Sequence, residues 1–305
     1  MSEQEAASVQ SEERPSVSVV IASRRPPERV RACLEALAAQ DYPRAALEVV
    51  VVDDGSPVPL ASVESGFGET LRTRVHTQAN AGPAAARNVG ARIATGRFLA
   101  FTDDDCLPAA DWLSRLIDAL VRQPDALVGG VVRNALPHDR YAEATQALIE
   151  FLYEAYGDDS SRRFVTGNNL AVSREAFLAA GGFDESFPVP GGEDRELCER
   201  WSALGHQLVH APRAVVWHAH AMTLRSFLRQ HRNYGRGAYL VRRLRPVDSR
   251  AGVSPEPVRF YLRLVSDPFG RLPGGRAVVQ SALLALTQVA TAAGYYAESR
   301  RSRRS

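Results

Sequence analysis

Leu47–Ser56 reads LEVVVVDDGS, and Gly96–Cys106 reads GRFLAFTDDDC. Each is a short apolar run that stops abruptly at carboxylates. β-branched and aromatic residues bounded by turn formers read as buried strands. Outward from these two, Ser16–Ala22 (SVSVVIA) is a further buried strand and Arg72–Thr77 another. Helical spacing follows in Glu28–Ala39, with Val30, Cys33, Leu34 and Leu37 on one face. Pro83–Ala94 is an Ala-rich helix with proline in its first turn, where no amide donor is missed. Ala109–Arg122 is an amphipathic helix and Ala126–Val132 a strand. Strands alternating with helices predict an α/β fold with a mostly parallel sheet. Ligands of such sheets bind outside the carboxyl ends of the strands. Asp53-Asp54 and Asp103-Asp104-Asp105 should therefore face one crevice.

The second half is less regular. Tyr141–Tyr156 is read as helix, Phe164–Val172 as a strand containing Gly167-Asn168-Asn169, and Glu193–Leu204 as helix. Gln207–Trp217 holds one or two strands, and Thr223–Arg243 is an Arg-rich helix.

Three consecutive carboxylates raise one another's pKa unless a cation relieves them. A hard divalent ion bound with substrate phosphates is the natural relief, so Asp103 and Asp105 are candidate ligands of Mn²⁺ or Mg²⁺. The plain alternative is a solvated acidic turn or a helix cap. Asp53-Asp54-Gly55-Ser56 is equally a simple turn or a pair accepting from a base N–H or a ribose hydroxyl. Arg87, one turn into its helix, could reach a base or a phosphate. Asp194 alone reads as a helix-start carboxylate favoured by the dipole. His218 and His220, after the last strand, offer imidazole to a metal, with His218 preferred.

In order and spacing, VSVVIAS, EVVVVDDGS, NAGPAAARNVG, GRFLAFTDDDC, Gly167-Asn168-Asn169, Gly182-Phe183-Asp184-Glu185 and Gly191-Gly192-Glu193-Asp194 resemble glycosyltransferase family 2, over about Ser16 to His220. The resemblance implies the GT-A fold, a Rossmann-like mixed sheet flanked by helices. It implies an inverting, metal-dependent transferase using a nucleotide-diphosphate sugar. Ala22, Ser23, Arg24, Asp53, Asp54, Arg87, Asp103 and Asp104 would border the nucleotide. Asp103, Asp105 and His218 would hold the metal, and Asp194 would be the base that deprotonates the acceptor. Gly167, Asn168, Asn169, Asp184 and Glu193 would form the acceptor side. The turn after the first strand departs from the family pattern: Ala22-Ser23-Arg24-Arg25 lacks an aromatic ring for the base. UDP is the expected donor nucleotide, with GDP and dTDP as alternatives. The acceptor would be a glycan, a lipid-linked molecule or a natural product. Gln230-His231-Arg232-Asn233-Tyr234 only loosely echoes the Gln-x-x-Arg-Trp motif of processive members. A catalytically silent relative that binds nucleotide sugar as a partner subunit is the rival reading.

Composition excludes other classes. The chain has 305 residues, is 45% hydrophobic and carries a formal charge of +2, which does not make a nucleic-acid binder. All its basic side chains other than histidine are arginine, whose planar fork suits phosphate. Ser23-Arg24-Arg25-Pro26-Pro27 has no glycine, against a sugar-phosphate nucleotidyltransferase, and no G-x-G-x-x-G follows the first strand, against a dinucleotide-dependent oxidoreductase. Cys33, Cys106 and Cys198 form no CxxC pair, which fits a reduced, cytoplasmic setting. The expected organisation is an acidic disordered tail (1–14), a transferase domain (15–222) and a helical extension (223–305). In the extension, Ala277–Ala297 is free of charge and precedes Arg300, Arg301, Arg303 and Arg304. That pattern would suit peripheral contact at the inner face of a membrane.

Overall fold

A computed structural model describes residues 14–67, 70–156, 164–187, 189–244 and 256–303; most of the expected N-terminal tail, and Arg304, lie outside the described residues. The strands are β1 (Val17–Ser23), β2 (Leu47–Asp54), β3 (Thr73–Gln78), β4 (Phe98–Asp103), β5 (Cys106–Pro108), β6 (Leu127–Asn134), β7 (Leu170–Ser173) and β8 (Leu208–His218). The helices are α1 (Pro27–Ala38), α2 (Ala61–Ser65), α3 (Pro83–Ile93), α4 (Trp112–Arg122), α5 (Arg140–Tyr156), α6 (Arg174–Ala179), α7 (Glu193–Ala203), α8 (Leu224–Leu244), α9 (Val258–Arg271) and α10 (Gly274–Ser302). The strands form one mixed sheet in the order β3-β2-β1-β4-β7-β6-β8-β5. β2–β3, β1–β2, β1–β4 and β6–β8 pair in parallel, whereas β7 runs antiparallel to β4 and β6, and β5 antiparallel to β8.

Strand side chains alternate between faces, and both faces here are covered. Val17, Val19, Ile21, Val49 and Val51 pack on α1 and α4. Val20, Leu99 and Phe101 pack on α3 and α7 through Ala84, Ala91, Leu197 and Trp201. This explains why Val19–Ala22 of β1 and Val49–Val52 of β2 run apolar without alternating with polar residues. Each fully buried Val or Leu there contributes about 1.5–3 kcal/mol relative to exposure.

The register aligns the carboxyl ends. Ser23 sits opposite Asp53, and Ala22 opposite Asp103. The expected strand over Phe164–Val172 is shorter in the structure, since only Leu170–Ser173 is strand. Asn169 is the reason. Its side chain accepts from Trp112 Nε1 at 2.8 Å and donates to the carbonyls of Val131 and Ala214 at 3.0 Å, while its amide closes a turn onto Thr166. Those bonds replace ladder pairing before Leu170. Gln207–Trp217 resolves into the single strand β8, with an irregular register opposite Gly129 and Val131.

The C-terminal helices form an extension packed on the sheet domain. α10 crosses α8 where both lack side chains: a Cβ on Gly235 would stand 1.8 Å from the Thr291 carbonyl, and one on Gly294 1.9 Å from that of Arg232. Arg236 and Glu298 pair across the crossing at 2.8 Å. By length and composition α10 could cross a membrane.

Candidate active site

β1, β2 and β4 end side by side, and the loops beyond them open into a cavity of about 2700 Å³. Ala22, Ser23 and Arg24 line it from the end of β1. The Ser23 hydroxyl donates to Asp104 Oδ2 at 2.5 Å. Burial, together with the charges of Asp105 and Asp103, pushes Asp104 up to about 6 against that hydrogen bond.

Asp105 lies between two imidazoles. One of its oxygens is 3.0 Å from His218 Nε2, the other 2.8 Å from His220 Nδ1, and Arg29 approaches to 3.6 Å. Burial opposes the Asp105 charge, but the hydrogen bonds of His218 and His220 hold its carboxyl well below the usual carboxylate range. The antiparallel pairing of β5 with β8 puts His218 opposite Cys106, next to Asp105. Asp105, His218 and the Cys106 thiol carry donor atoms within 4.8 Å of one another. A buried carboxylate met by imidazole nitrogen, beside two more aspartates, is a donor set that suits Mn²⁺ or Mg²⁺.

Arg87 joins this cluster to the far wall. α3 buries the face carrying Ala84, Arg87, Asn88 and Ala91, and the guanidinium is 7% exposed. It donates to Asp103 Oδ1 at 2.7 Å and to Glu193 Oε1 at 3.1 Å. Burial works against its charge, and the two carboxylates more than offset that cost, raising its pKa. Asn88, from the same face, donates to the carbonyl of Phe183 at 2.8 Å and accepts from its amide at 2.8 Å, anchoring the loop before α7.

The far wall begins at Gly191 and Gly192, at φ 128° and 104°, a backbone open to glycine. A Cβ on Gly237 of α8 would lie 1.7 Å from the Gly191 carbonyl, so the helix backbone rests directly on this turn. Glu193 Oε2 accepts from the Gly191 amide at 2.7 Å, with its other oxygen on Arg87. Asp194 accepts from the amides of Arg195 at 2.8 Å and Gly167 at 3.3 Å. Burial first, then the charge of Glu193, raises Asp194 to about 6. Tyr234 and Gln230 of α8 also line the cavity, joined by a 2.5 Å hydrogen bond.

The cavity thus brings together Ala22, Ser23, Arg24, Asp54, Arg87, Asp103, Asp104, Asp105, Gly167, Asn168, Glu193, Asp194 and His218. Asp53, Asn169 and Asp184 are not among its lining residues. Asp53 turns away to accept from the amides of Ser56 at 2.8 Å and Leu60 at 3.1 Å. Asp54 lines the wall with its oxygens engaged by Gln78, Ala81 and Gly82. Asp184 accepts from Ser186 in its own turn. Sequence reasoning left out Arg29 and Asn88 and ranked His220 second. His218 and His220 are two residues apart, so an extended chain carries both to one side. That spacing was the available signal.

Residues 18–179 match the model of glycosyl transferase family 2, and residues 99–294 that of glycosyl transferase family group 2. A pre-mycofactocin glycosyltransferase of Mycobacterium tuberculosis is 33% identical over 197 residues, which is 63% of this chain and 42% of the relative. Glycosyltransferase AglE of Haloferax volcanii is 28% identical over 211 residues, 67% of either chain. This chain therefore spans about two-fifths of the mycobacterial relative's length. The mannosyltransferase PcManGT of Pyrobaculum calidifontis, solved with GDP-Man and Mn²⁺, is similar at a TM-score of 0.60 and 24% identity, over 91% of this chain and 76% of that one. That likeness is one of fold.

Proposed function

Because the chain belongs to glycosyl transferase family 2, we propose that its cavity transfers a sugar from a nucleotide diphosphate to a hydroxyl acceptor, with inversion, using Asp194 as base. One observation carries the reading. Arg87 bridges Asp103, on the carboxyl edge of β4, to Glu193, next to Asp194, so a divalent-ion donor set and a raised carboxylate share one cleft.

The roles follow from the chemistry. A hydroxyl attacking an anomeric carbon loses its proton to a nearby base. Asp194 is free to take it, because its bonds come from backbone amides and not from a cation. Its raised pKa strengthens it as a base. Asp105, His218 and His220, with Asp103, would hold Mn²⁺ or Mg²⁺. A divalent ion there supplies Lewis-acid stabilisation of the diphosphate leaving group. Ala22, Ser23, Arg24 and Asp54 border the nucleotide. One base opposite the leaving group gives inversion without a carboxylate nucleophile. UDP is the first donor to test, with GDP and dTDP beside it; the relative from Pyrobaculum carries GDP-Man. We place the enzyme on the cytoplasmic side, with α10 as its membrane-facing element.

The test is Asp194→Asn. Donor binding should persist at wild-type affinity while transfer falls by about 10²–10⁴, the typical contribution of a general base. Near wild-type transfer would remove Asp194 from the base role.

A further inference from the structure

The cavity is too large for its donor. Pockets for small ligands typically occupy about 300–1,000 Å³, and this one holds about 2700 Å³. Asp103, Asp105, Arg87 and Asp194 make one part of the wall charged; α5, the segment before Gly167, α9 and α10 add Leu148, Leu152, Phe164, Phe260, Val289 and Tyr296, with Thr145, Gln288 and Thr291 among them. They form one continuous space with the carboxylate cluster. The frame behind them is packed: Phe260 lies edge-on against Phe151 with centroids 5.2 Å apart, and Phe164 lies 5.2 Å from Tyr153. Yet Val289 and Tyr296 themselves are 65% and 64% exposed. Apolar side chains held open to solvent on a rigid frame, continuous with a polar reaction centre, mark a binding surface.

We propose that this apolar arm receives the hydrocarbon chain of the acceptor, so that the acceptor class is a hydroxyl or sugar headgroup carried on a lipid tail. The headgroup lies at Asp194 and the tail lies along the face that α5, α9 and α10 turn to the cavity. A glycan or peptide acceptor would leave these walls unpaired and would itself need polar partners there. This rests on Asp194 marking the site of transfer.

The test uses the full chain and alkyl β-glucosides below their critical micelle concentrations. Titration calorimetry should show octyl glucoside binding about tenfold or more tighter than butyl glucoside, since each buried methylene contributes up to about fourfold. Val289→Glu and Tyr296→Glu should each erase that dependence on chain length, with thermal melts establishing that the variants fold. Leu262→Glu alters an exposed residue of α9 outside the cavity and should leave the dependence intact. Equal affinity for octyl and butyl glucoside overturns the proposal. So does Leu262→Glu acting as strongly as Val289→Glu, which would show adsorption to the surface at large. Nucleotide binding with Mn²⁺, measured on the same protein, reports separately on the transferase reading.

Discussion

Asp194 sits one residue past Glu193, and the two carboxylates share the start of α7 while facing different partners. Glu193 is neutralised by Arg87; among the described residues Asp194 is hydrogen-bonded by backbone amides. Its raised pKa sets a pH dependence. The active base is the unprotonated form, so kcat/KM should rise with pH and fall away as pH drops through about 6. An ordinary aspartate would hold its rate down to about 4. Glu193→Gln removes the charge that raises Asp194 and leaves Arg87 with one partner fewer, so the acid limb should move to lower pH. A limb at unchanged or higher pH would mean that another group titrates. Arg87 gives a stability prediction. Arg87→Ala leaves Glu193 buried without its cation and should cost about 3–5 kcal/mol by urea unfolding. Arg87→Ala combined with Glu193→Gln should recover part of that loss, because a neutral amide costs less to bury.

At the scale of elements, periodicity located β1, α1, β2, β3, α3, β4, α4 and β6 to within a few residues, because each buries a regular set of apolar positions, but it gave no sign of α2 or β5. It did less well where one side chain overrides its neighbours. Asn169 draws its backbone out of the ladder, and no pattern in Phe164–Val172 announces that. β5, α6 and α9 are short or embedded in loop-like sequence, and α9 carries Pro268 inside it. α10 was legible as an apolar helix, but its partner was not. Its seat on α8 depends on Gly235 and Gly294, two glycines 59 positions apart in sequence. Gly294→Leu should force the helices apart and destabilise the chain by about 1–3 kcal/mol or more. Ala293→Leu, on the exposed side of α10, should stay within about 0.5 kcal/mol. Equal effects of the two would show that the crossing is not packed as described.

For the whole molecule, a ligand that binds only the folded chain stabilises it by mass action. A nucleoside diphosphate at 100 times its dissociation constant should add about 2.7 kcal/mol. The gain should need Mn²⁺ and shrink in Asp105→Asn, read as the rise in Tm when UDP, GDP or dTDP is added with and without the metal. A Tm that responds equally to the nucleotide with EDTA present would take Asp105 out of metal binding. The cleft joins residues from β1, α3, β4, α7, β8 and α8, so the response tests the assembled fold as well as one ligand.

The sequence by itself determined the alternating α/β pattern, the acidic strand ends and the series of motifs that marks the family. These are local: a strand end, a turn or a helix start reads from a few adjacent residues. Only the tertiary structure decided that Asp103 and Glu193 share the Arg87 guanidinium. It turned Asp53 into the β2 loop and Asn169 into the core, and it set Asp105 between His218, at the end of β8, and His220, two residues beyond it. It also decided that α5, α9 and α10 extend the cleft. The physical reason is that hydrogen bonds and charges act over a few ångströms of space, and only the sheet register and the helix crossings establish which distant residues come that close.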